Sequence, residues 1–225
     1  MKPNLRIVLL LLFTLAASHF AQTDPAPSPS PSPEAGKAEK ANQRPKEPER
    51  KPEPWDEADV KTMAKQCVSL ETAKGTIVIE VYPESAPETV RNFLNLVSTG
   101  ALDTTTFDRV VPGFVIQGGN LYTSDNLTNN LRWRAIRKIP DEPNNILHER
   151  RIVSMARPEE PNSATTSFFI LLRSADTLDG KFAAFGKVIG GFEVVEEINK
   201  ADVEGEKPKE PVKIVKASVS VCGEQ

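Results

Sequence analysis

The residues with the greatest chemical potential lie in one run, Phe107-Asp108-Arg109-Val110-Val111-Pro112-Gly113-Phe114-Val115-Ile116-Gln117-Gly118-Gly119. An arginine and a glutamine bracket a phenylalanine, and paired glycines follow. Taken alone, this is a loop and a strand with one polar residue, Gln117, in an apolar setting. Arginine contributes a charge that persists at any working pH and a planar fork of donors. Glutamine contributes an amide that both donates and accepts. Other chemistry is scarce. The chain has two histidines, His19 and His148, and two cysteines, Cys67 and Cys222. A structural zinc site takes four ligands, so no metal and no cofactor is expected. His148 has no evident partner in the sequence and is expected at the surface.

Two further segments carry unusual strings. Ser154-Met155-Ala156-Arg157 is followed by Asn162-Ser163-Ala164-Thr165-Thr166-Ser167-Phe168-Phe169-Ile170. Then comes Leu178-Asp179-Gly180-Lys181-Phe182-Ala183-Ala184-Phe185-Gly186-Lys187-Val188. Together with the 107–119 run, in this order and spacing, they are similar to the signature segments of the cyclophilin family. Val221-Cys222-Gly223 resembles the family's end. The resemblance spans residues 67 to 222.

That resemblance implies a peptidyl-prolyl cis-trans isomerase acting on X-Pro bonds, with Arg109 and Gln117 as the catalytic pair. It implies an apolar slot for the proline ring lined by Phe114, Val115, Phe169, Leu178 and Phe182. The backbone at Ala156 and Arg157 would bind the extended peptide. Three departures stand out. Thr177 replaces a frequent Trp or Phe, which implies weak binding of cyclosporin. Phe182 replaces a frequent His or Tyr, and Ser167 a usual Gln. The alternative reading is a proline-peptide-binding or chaperone module with little turnover.

The elements that must position these residues are legible in the patterning. Val68, Leu70 and Thr72 alternate with polar residues, Lys74-Gly75 supplies a turn, and 76–82 is β-branched and aromatic-rich, which predicts a hairpin. Ser85 three residues before Glu88 reads as a capping box, with Pro87 in the first turn. Val90, Phe93, Leu94 and Val97 recur at helical spacing until Gly100. A second helix is expected over 192–200, and a short one within 55–66. Short β-like runs fall near 114–117, 152–156, 168–172, 183–189 and 212–222. Many short strands with two helices suggest a closed or nearly closed antiparallel barrel. The resemblance specifies a mainly β fold, a closed eight-stranded antiparallel β-barrel capped by two α-helices. The basic stretch Arg132-Trp133-Arg134-Ala135-Ile136-Arg137-Lys138 is expected to be an exposed loop near the peptide groove.

The flanks set the location. Lys2 and Arg6 precede an apolar run from Ile7 to Ala17, and small residues follow. This is the pattern of a secretory signal peptide over 1–21, cleaved after Ser18 or Ala21. The apolar run is shorter than the roughly 20 residues of a membrane span, so no stable membrane insertion is expected after cleavage. Residues 22–57, with Pro25, Pro27, Pro29, Pro31 and Pro33 alternating with Ala and Ser, have little to bury and read as an extended linker. The folded domain is expected over 58–225. Lys and Arg total 28 against 31 Asp and Glu, a net charge of −3, which argues against a nucleic-acid partner. The expected partners are proline-containing unfolded or flexible polypeptides, met as a monomer in the periplasm or outside the cell. In such an oxidising compartment an even cysteine pair suggests a disulfide. Because the family's termini lie on neighbouring strands, the resemblance implies a Cys67–Cys222 bridge.

Overall fold

The structure, a computed structural model, describes residues 49–223. The segment read as a signal peptide, and the linker up to residue 48, lie outside the described residues.

The hairpin forms from β1 (Gln66–Thr72) and β2 (Gly75–Val81), with Cys67 opposite Glu80 and Thr72 opposite Gly75. On β2, Ile77, Ile79 and Val81 alternate inward and are buried, the period-2 signature of a half-buried strand. The other long strands are β3 (Arg109–Val111), β4 (Val115–Gly118), β5 (Ile152–Met155), β6 (Phe168–Leu171), β7 (Ala184–Gly190) and β10 (Ile214–Val221). They complete one eight-stranded antiparallel sheet in the order β10-β1-β2-β7-β5-β6-β4-β3. Between its two end strands, Thr106 and Lys213 form an isolated bridge. Phe107 N–H donates to Val212 O at 2.9 Å and Ile214 N–H to Thr105 O at 2.7 Å. A separate small hairpin joins β8 (Val203–Glu204) to β9 (Lys207–Pro208).

Helix α2 (Pro87–Ser98) buries Val90, Phe93, Leu94 and Val97 against the sheet. Phe93 packs its ring on Phe168 and Phe185, with centroids 5.3 and 5.0 Å apart. Its N-terminus differs from the expected capping box. The N-cap is Ala86, which makes no side-chain bond. Glu142, from a distant loop, takes that place: its carboxylate accepts from the N–H groups of Glu88 (3.0 Å) and Thr89 (2.7 Å). These are two of the orphan donors that any helix start must satisfy. Helix α4 (Phe192–Asn199) starts at Gly191, whose φ of +68° and contact with the Thr76 carbonyl leave no room for a Cβ.

Two more helices join these. α1 (Val60–Met63) is a single turn capped by Asp59. α3 (Asn129–Ala135) occupies the basic stretch expected to be an exposed loop near the groove. Instead, Arg134 is buried at 6% exposure. Its Nε donates to Glu53 Oε1 at 2.9 Å and its Nη2 to Asn92 Oδ1 at 2.7 Å, while Arg137 reaches Glu53 Oε2 at 3.0 Å. The charges are consumed internally, because a buried guanidinium must be paired. Glu53 belongs to the last part of the segment read as linker. That part lies against α2: Trp55 Nε1 donates to Ser98 Oγ at 2.8 Å, and Arg91 Nη1 to the carbonyl of Trp55 at 2.8 Å.

Cys67 on β1 and Cys222, just beyond β10, are joined in a disulfide with Cα atoms 5.0 Å apart. The strand pairing brings them there, since Gln66 faces Val221. No helix among the described residues is long and apolar enough to cross a membrane.

Candidate active site

The sheet carries the site as a row of facing residues. Arg109 on β3 pairs with Gln117 on β4, Gln117 with Phe169 on β6, and Phe169 with Ser154 on β5. Directly opposed residues share a face, so a cation, an amide and an aromatic ring stand side by side. Phe168 and Phe169 point to opposite sides of β6: the first enters the main core, the second a smaller apolar cluster with Val115 and Leu171. Phe114, Leu178 and Phe182 pack on that smaller cluster.

Phe114 sits in the turn between β3 and β4, and its N–H donates to Val111 O at 3.0 Å. Asn199, at the end of α4, clamps this turn. Its Oδ1 accepts from Gly113 N–H at 2.6 Å, and its Nδ2 donates to the carbonyls of Val111 (2.9 Å) and Val115 (3.0 Å). Arg173 lies over the Phe114 ring, 4.7 Å from its centroid. Leu178 and Phe182 come from the 176–182 segment, where Phe182 meets Phe169 edge-on with centroids 6.1 Å apart. The Arg157 guanidinium lies 5.1 Å over Phe182 and 3.3 Å from Asp141. Ala156 N–H is held by Ser167 O at 2.9 Å.

All nine residues singled out from the sequence for catalysis or peptide binding line one cavity of about 210 Å³. Arg109 is held on two edges. Its Nη1 donates to Gln117 Oε1 at 3.2 Å and its Nε to Glu206 Oε2 at 2.6 Å. Nη2 has no hydrogen-bond partner among the described residues. The hydrogen bond and charge of Arg109 hold the Glu206 carboxyl below its usual range.

His148 is not at the surface, as expected from the sequence, but buried at 1% exposure. Its Nδ1 lies 3.0 Å from Asp179 Oδ1 and its Nε2 3.1 Å from Ser154 Oγ. The ring stacks on Phe169 with centroids 6.5 Å apart. Asp179 also accepts from the His148 backbone N–H at 2.7 Å. That bond, followed by the side-chain hydrogen bond and charge of His148, overcomes burial and lowers the Asp179 carboxyl. A serine, a histidine and an aspartate in contact are the components of a nucleophilic triad. Here Ser154 is fully buried, and its Oγ donates to the Ala183 carbonyl at 2.9 Å. The trio braces the cavity wall from behind.

An apolar slot with a guanidinium and an amide at its edge, on an eight-stranded antiparallel sheet, is the arrangement expected of a cyclophilin-type domain. The profile described as "Cyclophilin type peptidyl-prolyl cis-trans isomerase/CLD" matches residues 67–219. A peptidyl-prolyl cis-trans isomerase of Schizosaccharomyces pombe is 38% identical over 153 residues, covering 67% of this chain and 96% of that protein. Peptidyl-prolyl cis-trans isomerase B of Escherichia coli is 35% identical over 168 residues, covering 68% of this chain and 99% of that protein. The crystal structure of a Cryptosporidium parvum cyclophilin type isomerase, in the presence of the dipeptide Ala-Pro, superposes with a TM-score of 0.61. It is 28% identical and covers 68% of this chain and 98% of that one. The chain belongs to the cyclophilin family of peptidyl-prolyl cis-trans isomerases.

Proposed function

We propose that this protein is an exported prolyl isomerase in which Arg109 supplies the catalytic charge. Rotation about an X-Pro bond breaks amide resonance across a barrier of about 18–20 kcal/mol. At the twisted transition state the prolyl nitrogen becomes pyramidal and gains a lone pair. A fixed cationic donor aimed at that lone pair stabilises the twisted state more than either planar one, which is the condition for catalysis. The observation carrying this reading is the guanidinium at the cavity wall, held at Nε and Nη1 with Nη2 unpartnered among the described residues. Phe114, Val115, Phe169, Leu178 and Phe182 take the proline ring and exclude water. Gln117 orients both Arg109 and the substrate carbonyl, and the backbone at 156–157 takes the extended peptide. No covalent step is required. A barrier lowered by about 7 kcal/mol corresponds to roughly five orders of magnitude in rate.

The charged start, apolar run and Pro-rich stretch at the N-terminus, together with the disulfide, support action outside the cytoplasm. The substrates there are proline-containing segments of flexible or unfolded polypeptides. The Thr106–Lys213 bridge supports reading the sheet as a closed barrel. A protease-coupled isomerisation assay on X-Pro test peptides tests the activity, and mass analysis of the mature N-terminus tests export. Tight peptide binding without acceleration of cis-trans exchange would establish the binding-module reading, which Thr177 and Phe182 favour.

A further inference from the structure

We infer that Glu206 is a positioning residue for Arg109, holding the guanidinium in the plane from which it acts. The inference rests on the catalytic role proposed for Arg109 and extends it to a residue 97 positions away in the chain.

The β8–β9 hairpin has no place in the main sheet, yet its turn docks on β3 at two adjacent points. Gly205 adopts a φ of +65° in the turn. The carbonyl of Glu206 accepts from Val110 N–H at 2.8 Å. The side chain of the same residue reaches the neighbouring Arg109, with Oε2 2.6 Å from Nε. A carboxylate whose own backbone is tied down loses less freedom on pairing than one on an untethered chain, the usual weakness of surface pairs.

The consequence is geometric. Held at Nη1 alone by Gln117, a guanidinium can still swing about that bond. Held at Nε as well, its plane is defined. Nη2, which has no hydrogen-bond partner among the described residues, is then left as a free donor in a fixed plane. Side-chain exposure is 39% for Arg109 and 55% for Glu206, so the pair adds little to folding stability. Its effect lies in where the charge stands when the peptide bond twists.

The test uses the full chain and a neutral Ala-Pro test peptide. Glu206→Ala should lower kcat by about tenfold with KM nearly unchanged, the signature of lost transition-state positioning. Glu206→Gln, which keeps an acceptor, should recover part of the rate. Glu204→Ala, on the same hairpin, should match the parent, and melting temperatures should agree across the set. The decisive arm is Arg109→Ala with and without Glu206→Ala. Once the arginine is gone, the second substitution should cost nothing further. Unchanged or increased kcat in Glu206→Ala overturns the inference. So does an equal loss in the Arg109→Ala background. If Arg109→Ala alone keeps the parent rate, the catalytic role of Arg109 fails instead, a separate outcome.

Discussion

His148 Nδ1 lies 3.0 Å from Asp179 Oδ1, and this contact fastens the segment carrying Leu178 and Phe182 to the strand behind Phe169. The imidazole is fully enclosed, and both ring nitrogens have partners. Replacing it with phenylalanine keeps a planar aromatic ring but leaves polar partners unpaired. We expect His148→Phe to cost about 1–3 kcal/mol of stability, read from urea unfolding, together with a lower isomerase rate. His148→Gln, which can reach one partner, should fall between.

Asp179 adds a pH dependence. Its carboxyl is lowered from 3.8 when folded, first by the His148 backbone N–H. A lowered carboxylate contributes stability above its unfolded pKa and loses it as pH falls through the folded value. The difference in melting temperature between the parent and Asp179→Asn should therefore be constant from about pH 5 upward and shrink below about pH 4. A difference that widens on acidification would reverse the assignment.

The Cys67–Cys222 bridge joins residues 155 positions apart. In the chain-entropy account a loop of this length is worth up to about 5 kcal/mol. Denatured, unreduced protein should show no reactive thiol. Reductant should shift urea unfolding to lower midpoints without abolishing the hairpin, whose ladder is independent of the bond.

Glu53 sits beneath Arg134 and Arg137. Burial lowers the Arg134 pKa, and the Glu53 charge opposes that shift. Removing one partner of a buried pair strands the other, at a cost of about 3 kcal/mol. A chain beginning at residue 58 should therefore unfold at lower urea than one beginning at 49, and Glu53→Ala in the longer chain should reproduce most of the loss.

What the sequence made legible follows from how local each signal is. The alternation of Ile77, Ile79 and Val81 and the spacing of Val90, Phe93, Leu94 and Val97 are properties of neighbours in the chain, and they place β2 and α2. The nine cavity residues were legible through family resemblance rather than spacing, for nothing local marks Arg109 as more than a surface arginine. The misses are all long-range. Glu142 caps α2 from 54 residues away, so the local Ser85 pattern misled. Arg134 looked exposed because its partner Glu53 lies in a Pro-rich stretch. His148, Asn199 and Glu206 gained their places only once strands distant in sequence were paired.

The most direct test is the isomerisation rate of Arg109→Ala on an Ala-Pro peptide, compared with the parent and with Arg109→Lys. Loss of one fixed donor at the point of developing charge should lower kcat/KM by about 10²–10³. Lysine, a single mobile charge without the planar fork, should restore little. An Arg109→Ala protein that folds normally and keeps most of the parent rate would contradict the account.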